Sequence, residues 1–306
     1  MVALRGLVRP HFPLGPPNWP NSVPRLPVEK RTGVHYDTSW SRRYPARLAR
    51  AVILDDLMRP MVKVLGSPKV HGLDHIKDLP APAIFAANHH SHLDTPLVLT
   101  CLPGRFRHKA VVAAAADYFF TNRVKGAVSV LTIGAIPMER LRVNRRSGDL
   151  AAGLMQDGWS LVIFPEGGRS EDGWGREFRG GAAYLSMRTG RPVVPVHLEG
   201  TRRVLKKGDT YPTPVGPPFG RGRGVQVTFG RPLWARPDED ARRLAARLEA
   251  EVAALADEAA TDWWSARRRA ATATTPSLSG PAAGSWRRSW ALQENKRKAG
   301  IEPDWP

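Results

Sequence analysis

Two short stretches of this chain concentrate side chains that can do chemistry. The first is Asn88-His89-His90-Ser91-His92-Leu93-Asp94, which follows the apolar run Ala83–Ala87. A neutral imidazole, with an unperturbed pKa of about 6.5, can accept a proton near neutral pH. A carboxylate beside it can hold one tautomer and stabilise the imidazolium that forms. His89 and Asp94 are five positions apart, which on one continuous helix sets them on different faces. In a strand-to-helix turn, Asp94 in the first helical turn can reach back to His89. Asp94 can equally cap a helix beginning at Thr95-Pro96, with the histidines solvated beside it.

The second stretch is Phe164-Pro165-Glu166-Gly167-Gly168-Arg169-Ser170, after the apolar Ser160–Ile163. Gly167 and Gly168 allow a tight turn and close approach of backbone to a ligand. Arg169 can grip a phosphate through two parallel hydrogen bonds. Glu166 can orient that arginine or an acceptor molecule. The plainer reading is a glycine-rich turn with a surface arginine.

A metal reading competes at the first stretch. His90-Ser91-His92-Leu93-Asp94 matches the H-x-H-x-D opening of the metallo-β-lactamase hydrolase motif. That motif continues with a histidine, and this chain has Thr95; His71, His75, His108 and His197 sit in no ligand-rich motif. A metal-dependent hydrolase is thus the alternative enzyme, and no metal is expected. The single cysteine, Cys101, lies in Val-Leu-Thr-Cys-Leu-Pro and is expected to be a packed thiol, not a nucleophile. There is no G-x-S-x-G elbow of the α/β-hydrolase kind.

The elements that must hold these stretches follow from the apolar pattern. Strand-length runs lie at Lys69–Gly72, Ala83–Ala87, Ala110–Ala115, Ile133–Met138, Ser160–Phe164, Val193–Leu198 and Gly224–Phe229. Helical periods lie at Arg47–Leu65, Arg145–Gln156, Gly180–Arg188 and Pro237–Trp263. Alternation of this kind predicts an α/β fold with a mainly parallel central sheet flanked by helices. Loops at the carboxyl ends of such strands carry function.

The flanks differ in composition. Prolines crowd residues 10–27, so residues 1–40 read as an extended, basic arm. Residues 41–66 hold the amphipathic helix, 67–262 the catalytic domain, and 263–306 a basic tail expected to be disordered. Net charge is +18, of which +7 lies in residues 1–50 and +5 in residues 265–306. Such flanks suit an anionic membrane surface, and nucleic acid equally well, although no nucleic-acid motif is present. No apolar run approaches the roughly 18 residues of a spanning helix. The first residues have no apolar core of the secretory type.

Together the two stretches resemble the glycerol-phosphate and lysophosphatidic acid acyltransferase family. Asn88–Asp94 is similar to its N-H-x-x-x-x-D block, and Phe164–Ser170 to its F-P-E-G-T-R-S block, with Gly168 in place of the threonine. Gly134–Arg140 is similar to the second block, with Pro137 where an aromatic is common, and Arg191–Val196 to the fourth. The resemblance covers roughly residues 65–235 and implies the following. His89 is the general base and Asp94 its partner. Arg140, Glu166, Gly167 and Arg169 form the substrate phosphate site. The donor is acyl-CoA or acyl-carrier protein, with no other cofactor. The acceptor is a lysophospholipid or glycerol phosphate, most simply 1-acyl-sn-glycerol-3-phosphate giving phosphatidic acid; another lysolipid or a glycolipid is the alternative. The place of action is cytoplasmic, on the inner face of the cell membrane, with no nucleic-acid partner.

Overall fold

A computed structural model describes residues 33–139, 145–170, 173–217 and 224–280. Most of the proline-rich arm, Arg140, and the tail tryptophans Trp286, Trp290 and Trp305 lie outside the described residues. Seven strands form one sheet: β1 Lys69–His71, β2 Ile84–Ala87, β3 Ala110–Ala115, β4 Ala135–Met138, β5 Ser160–Ile163, β6 Val193–Glu199 and β7 Gln226–Phe229. Their order is β1-β7-β6-β2-β5-β3-β4. Every neighbouring pair is parallel except β6 and β7. The mainly parallel α/β fold expected from the sequence is therefore the fold observed.

The continuous apolar runs reflect burial on both sheet faces. Phe85 and Ala87 enter one core, with Val112, Val162 and Val194; Ile84 and Ala86 enter the other, with Val111, Leu161 and Val193. The split obeys the two-residue period of a strand. Phe85 is fully buried and meets Phe106 and Phe229 edge-on, with ring centroids 5.1 and 6.3 Å away. Truncation of such a ring to alanine costs about 3–5 kcal/mol. β2 pairs with β5 on one side and β6 on the other, Phe85 lying opposite Val162 and Val194. This register sets the carboxyl ends of β2 and β5 side by side, and with them the two reactive loops.

Some boundaries differ from the sequence reading. Ile133 ends a helix, Arg123–Ile133, and Gly134 caps it at φ +67° before β4 begins. The sequence reading placed no helix at Arg123–Ile133 and assigned Ile133 to the following strand. The expected Arg47–Leu65 helix runs as an α-helix Tyr44–Val52, a π-helical segment Ile53–Met58 and an α-helix Arg59–Gly66. Pro60 explains the wide turn, because its ring cannot fit against the carbonyl four residues earlier.

This composite helix buries Leu54 and Val62 and leaves Tyr44, Leu48, Val52, Leu57, Met61 and Val64 exposed. Their spacing is four, four, five, four and three, and the five-residue step crosses the π segment. The stripe faces outward. Arg50, on the same helix, is buried. It donates to the carbonyls of Ser41 and Leu131 at 2.8 and 3.2 Å. Burial, and then Arg42 and Arg47, lower its pKa to about 10.

The tail expected to be disordered begins instead as a helix, Trp263–Ala271. Asp262 caps it by accepting the Ser265 N–H at 2.9 Å. Arg269 forms a bidentate pair with Asp257 of the preceding Ala241–Ala260 helix at 2.6 and 2.7 Å. Charge pairing holds this helix, so an apolar period does not reveal it. Among the described residues, no helix is long and apolar enough to cross a membrane.

Candidate active site

The loop after β2 is fixed from both sides. Asn88 is buried and exchanges two hydrogen bonds with the backbone of Leu198 on β6, at 2.9 and 2.7 Å. The chain then turns, and a helix starts at Asp94 and runs to Cys101. Asp94 does not cap that helix. Its Oδ2 instead accepts the backbone N–H of His90 at 2.6 Å and of Ser91 at 2.8 Å, together with His89 Nδ1–H at 2.8 Å. Asp94 is fully buried. Burial alone would raise its pKa, but the His89 ring, the Thr201 hydroxyl and the Ser91 N–H outweigh it and hold the carboxyl below its ordinary value.

An ionised Asp94 accepts only, so His89 Nδ1 carries the proton and Nε2 is the basic nitrogen. The His89 ring stacks on Phe164, with centroids 4.1 Å apart and planes at 22°. Position, tautomer and tilt of the imidazole are all determined by neighbours.

The loop after β5 is braced against the first. Glu166, 1% exposed, accepts the His89 N–H at 2.9 Å and the Arg176 N–H at 3.2 Å. The Ser170 N–H donates back to the His89 carbonyl at 2.9 Å. Burial pushes the Glu166 carboxyl up to about 7 against the pull of those two N–H groups. Gly167 has φ +70°, and a Cβ there would meet the Arg179 guanidinium at 3.1–3.2 Å. The positive φ calls for glycine, and a Cβ would also require the Arg179 side chain to shift by a few tenths of an ångström. The sequence assigned Glu166 to an arginine or an acceptor; its carboxylate instead binds backbone N–H groups of two loops.

His89, Gly167, Gly168 and Arg169 line a cavity of about 630 Å³ at the carboxyl ends of β2, β3 and β5. One part of its wall is apolar, with Val112, Ile133, Met138, Ile163 and Leu185. Arg169, Arg176, Arg179 and Lys207 supply cations. An acid–base pair beside both an apolar trough and cationic groups can deprotonate a hydroxyl on a molecule with one greasy end and one anionic end.

His89, Asp94, Glu166, Gly167 and Arg169 are thus brought together, while Arg140 lies outside the described residues. The other two loop histidines diverge. His92 stacks near Tyr118, with centroids 5.9 Å apart, while His90 lies near the buried His197, whose pKa falls to about 4 through burial and then the His90 charge. Among the described residues, no group of three or more His, Cys, Asp or Glu side chains is placed to hold a metal ion. Cys101 packs against the core below β2, and burial raises its thiol to about 11, unsuited to a nucleophile. Sequence reasoning did not single out Asn88, Phe164, Tyr118 or Arg179. The first two lie inside or beside the reactive stretches; the last two carry no local signal.

Residues 67–199 match the acyltransferase family model. The chloroplastic 1-acyl-sn-glycerol-3-phosphate acyltransferases of Brassica napus and Arabidopsis thaliana are each 30% identical over 141 residues, 45% of this chain. The match spans 39% and 38% of those two proteins. A 1-acyl-sn-glycerol-3-phosphate acyltransferase of Borreliella burgdorferi is 34% identical over 87 residues, 26% of this chain and 35% of that one. In fold, the chain is similar to the crystal structure of the 1-acyl-sn-glycerophosphate acyltransferase PlsC from Thermotoga maritima. The TM-score is 0.57 at 21% identity, over 75% of this chain and 88% of that one.

Proposed function

We propose, from an acyltransferase-family domain at residues 67–199, that this chain is an O-acyltransferase acting on a glycerol-phosphate acceptor. The donor is an acyl thioester, acyl-CoA or acyl-carrier protein. The acceptor that fits best is 1-acyl-sn-glycerol-3-phosphate, for which the plant relatives are named. The product is then phosphatidic acid, a phospholipid precursor. The observation that carries this reading is the His89–Asp94 pair, 2.8 Å apart, on a cavity with an apolar wall and Arg169 at its edge.

In this mechanism His89 Nε2 takes the proton of the acceptor hydroxyl as the oxygen attacks the thioester carbonyl. The tetrahedral intermediate collapses, the C–S bond breaks, and the thiolate takes the proton back from the imidazolium. Asp94 stabilises that imidazolium and keeps the ring oriented. Thiolate is a good leaving group, so no acyl-enzyme is needed. Arg169 holds the acceptor phosphate, and the alkyl chains lie along the apolar wall. Holding both reactants in register is an orientation effect.

The enzyme works as a peripheral protein on the inner face of the cell membrane. The exposed stripe from Tyr44 to Val64, with Arg43, Arg59 and Lys63 exposed beside it, supports this reading. The test of function is direct. The full chain is offered lysophosphatidic acid, glycerol 3-phosphate and other lysolipids with acyl-CoA and acyl-carrier-protein donors, and products are identified by mass spectrometry. Phosphatidic acid formed by the wild type and not by His89→Ala is expected. No ester product with any phosphate-bearing acceptor overturns the proposal.

A further inference from the structure

One cluster on the cavity wall joins Arg169 to Tyr118, Lys125 and His92, which have no part in the chemistry above. Tyr118 lies in the short helix Ala116–Phe119 that directly follows β3. The ammonium of Lys125 sits 3.8 Å from its ring centroid, and the guanidinium carbon of Arg169 lies 6.0 Å from it. Its hydroxyl meets His92 Nε2 at 3.3 Å. Tyr118, His92 and Arg169 line the cavity with His89. Lys125 belongs to the Arg123–Ile133 helix, whose Ser129, Thr132 and Ile133 line the same space.

Two permanent cations thus converge on one aromatic ring. Among the described residues, no carboxylate forms a salt bridge with either of them. Like charges brought together near a cavity repel, and the ring's quadrupole is the attraction that the structure supplies against that repulsion. The neighbouring His92 adds no third charge. Desolvation, then Arg169, then His89, lower its pKa to about 4, so a neutral Nε2 can accept the Tyr118 O–H. A pair of cations with no carboxylate bridging them among the described residues matches a doubly charged phosphate monoester better than a singly charged diester.

We infer that Tyr118 is a positioning residue whose ring holds Lys125 and Arg169 together as a two-cation clamp for the phosphate monoester of the acceptor. The identity of the acceptor rests on the proposed function; the clamp itself requires only phosphate binding. Flexible cationic side chains lose entropy on gripping an anion, and a ring that already holds them lowers that cost.

The test is calorimetric titration of the full chain with a short-chain lysophosphatidic acid below its micelle concentration, with the matching monoacylglycerol as a phosphate-free control. Tyr118→Phe keeps the ring and should bind within about twofold of wild type. Tyr118→Leu and Lys125→Gln should each weaken lysophosphatidic acid about tenfold while leaving the control ligand unchanged. In turnover, the acceptor KM should rise in those two variants, more than kcat falls, and the donor KM should not move. Unchanged phosphate affinity in Tyr118→Leu overturns the clamp, as does equal loss for both ligands, which is mere structural damage. Tyr118→Phe as impaired as Tyr118→Leu also overturns it, since the hydroxyl would then matter and not the ring. Ring-dependent phosphate binding without any acyl transfer would keep the clamp and sink the transferase reading; transfer without ring dependence would do the reverse.

Discussion

The carboxylate of Glu166 accepts the backbone N–H of His89 at 2.9 Å, joining residues 77 positions apart. Its other oxygen accepts the N–H of Arg176 at 3.2 Å. Glu166 thereby ties the loop carrying His89 to the loop carrying Arg169, and the Ser170–His89 backbone bond closes the brace. In Glu166→Gln the amide has one acceptor oxygen, so one of the two N–H groups faces an NH₂. We expect kcat to fall by about tenfold to a hundredfold, because small misplacements of a reacting group are costly. A pH signature should accompany it. Below pH 4.5 the folded and unfolded chains both keep the proton. Between 4.5 and about 7 the unfolded chain releases it while the folded chain retains it, so the Glu166 contribution to stability falls across that window and is flat above it. Thermal melts from pH 4.5 to 8 should show Glu166→Gln gaining on wild type as pH rises. Parallel curves for the two proteins would refute this.

His89→Ala should lower transfer by about 10²–10⁴-fold, the usual contribution of a general base. His90→Ala and His92→Ala should be far milder, since it is the His89 ring that bonds Asp94 and faces the cavity beside Arg169. Single-turnover assays on the three variants, with circular dichroism to confirm folding, make the comparison. If His90 or His92 proves as essential as His89, the base is misassigned and metal chemistry at this loop returns to consideration.

The uneven legibility of these features in sequence has physical causes. Central strands such as Ile84–Ala87 and Val193–Glu199 were readable because strands buried on both faces are apolar nearly throughout, whereas Lys69–His71 and Gln226–Phe229 carry polar residues and are only partly buried. The His89–Asp94 relation was only half readable. Five residues can be bridged by a turn, but a helix cap has the same sequence, and the choice depends on where the Asp94 carboxylate finds N–H groups. The brace from Glu166, the Asn88–Leu198 pair and the contacts of Tyr118 with His92 and Arg169 were not readable, because each joins segments far apart in the chain. The amphipathic period at Arg47–Leu65 disclosed an apolar stripe without saying which way it faces. Arg50 shows the limit of counting charge, since a buried arginine bonded to carbonyls looks in sequence like its exposed neighbours.

Arg169→Ala should raise the acceptor KM by at least about tenfold with a smaller effect on the donor, because charge-assisted bonds to phosphate contribute roughly twice what neutral ones do. Arg169→Lys should recover part of the loss, keeping the charge without the forked geometry. Steady-state kinetics with both substrates varied separates the two constants. Equal changes in the donor and acceptor KM would place Arg169 elsewhere in the reaction.

The last prediction concerns the outward stripe of the Tyr44–Gly66 region. Leu48, Leu57 and Tyr44 are 54%, 64% and 74% exposed, too much apolar surface on one line for a solvated helix face to favour. Docking on a lipid surface would cover them, and Arg43, Arg59 and Lys63 are exposed beside them. Each such cation contributes roughly 1 kcal/mol near an anionic surface, so neutralising all three should weaken binding on the order of a hundredfold. Leu48→Asp with Leu57→Asp should also weaken it, and should not lower the melting temperature, because neither side chain belongs to the core. Arg50 must be left intact, since its removal would orphan the Ser41 and Leu131 carbonyls and confound the result. Vesicle co-sedimentation at increasing salt provides the readout, because surface attraction fades beyond a Debye length of about 8 Å at physiological ionic strength. Equal partitioning onto neutral and anionic vesicles, insensitive to salt, would show that charge does not recruit the protein. Retention on vesicles at high salt by wild type, abolished in the double aspartate variant, would instead assign the attachment to the apolar stripe alone.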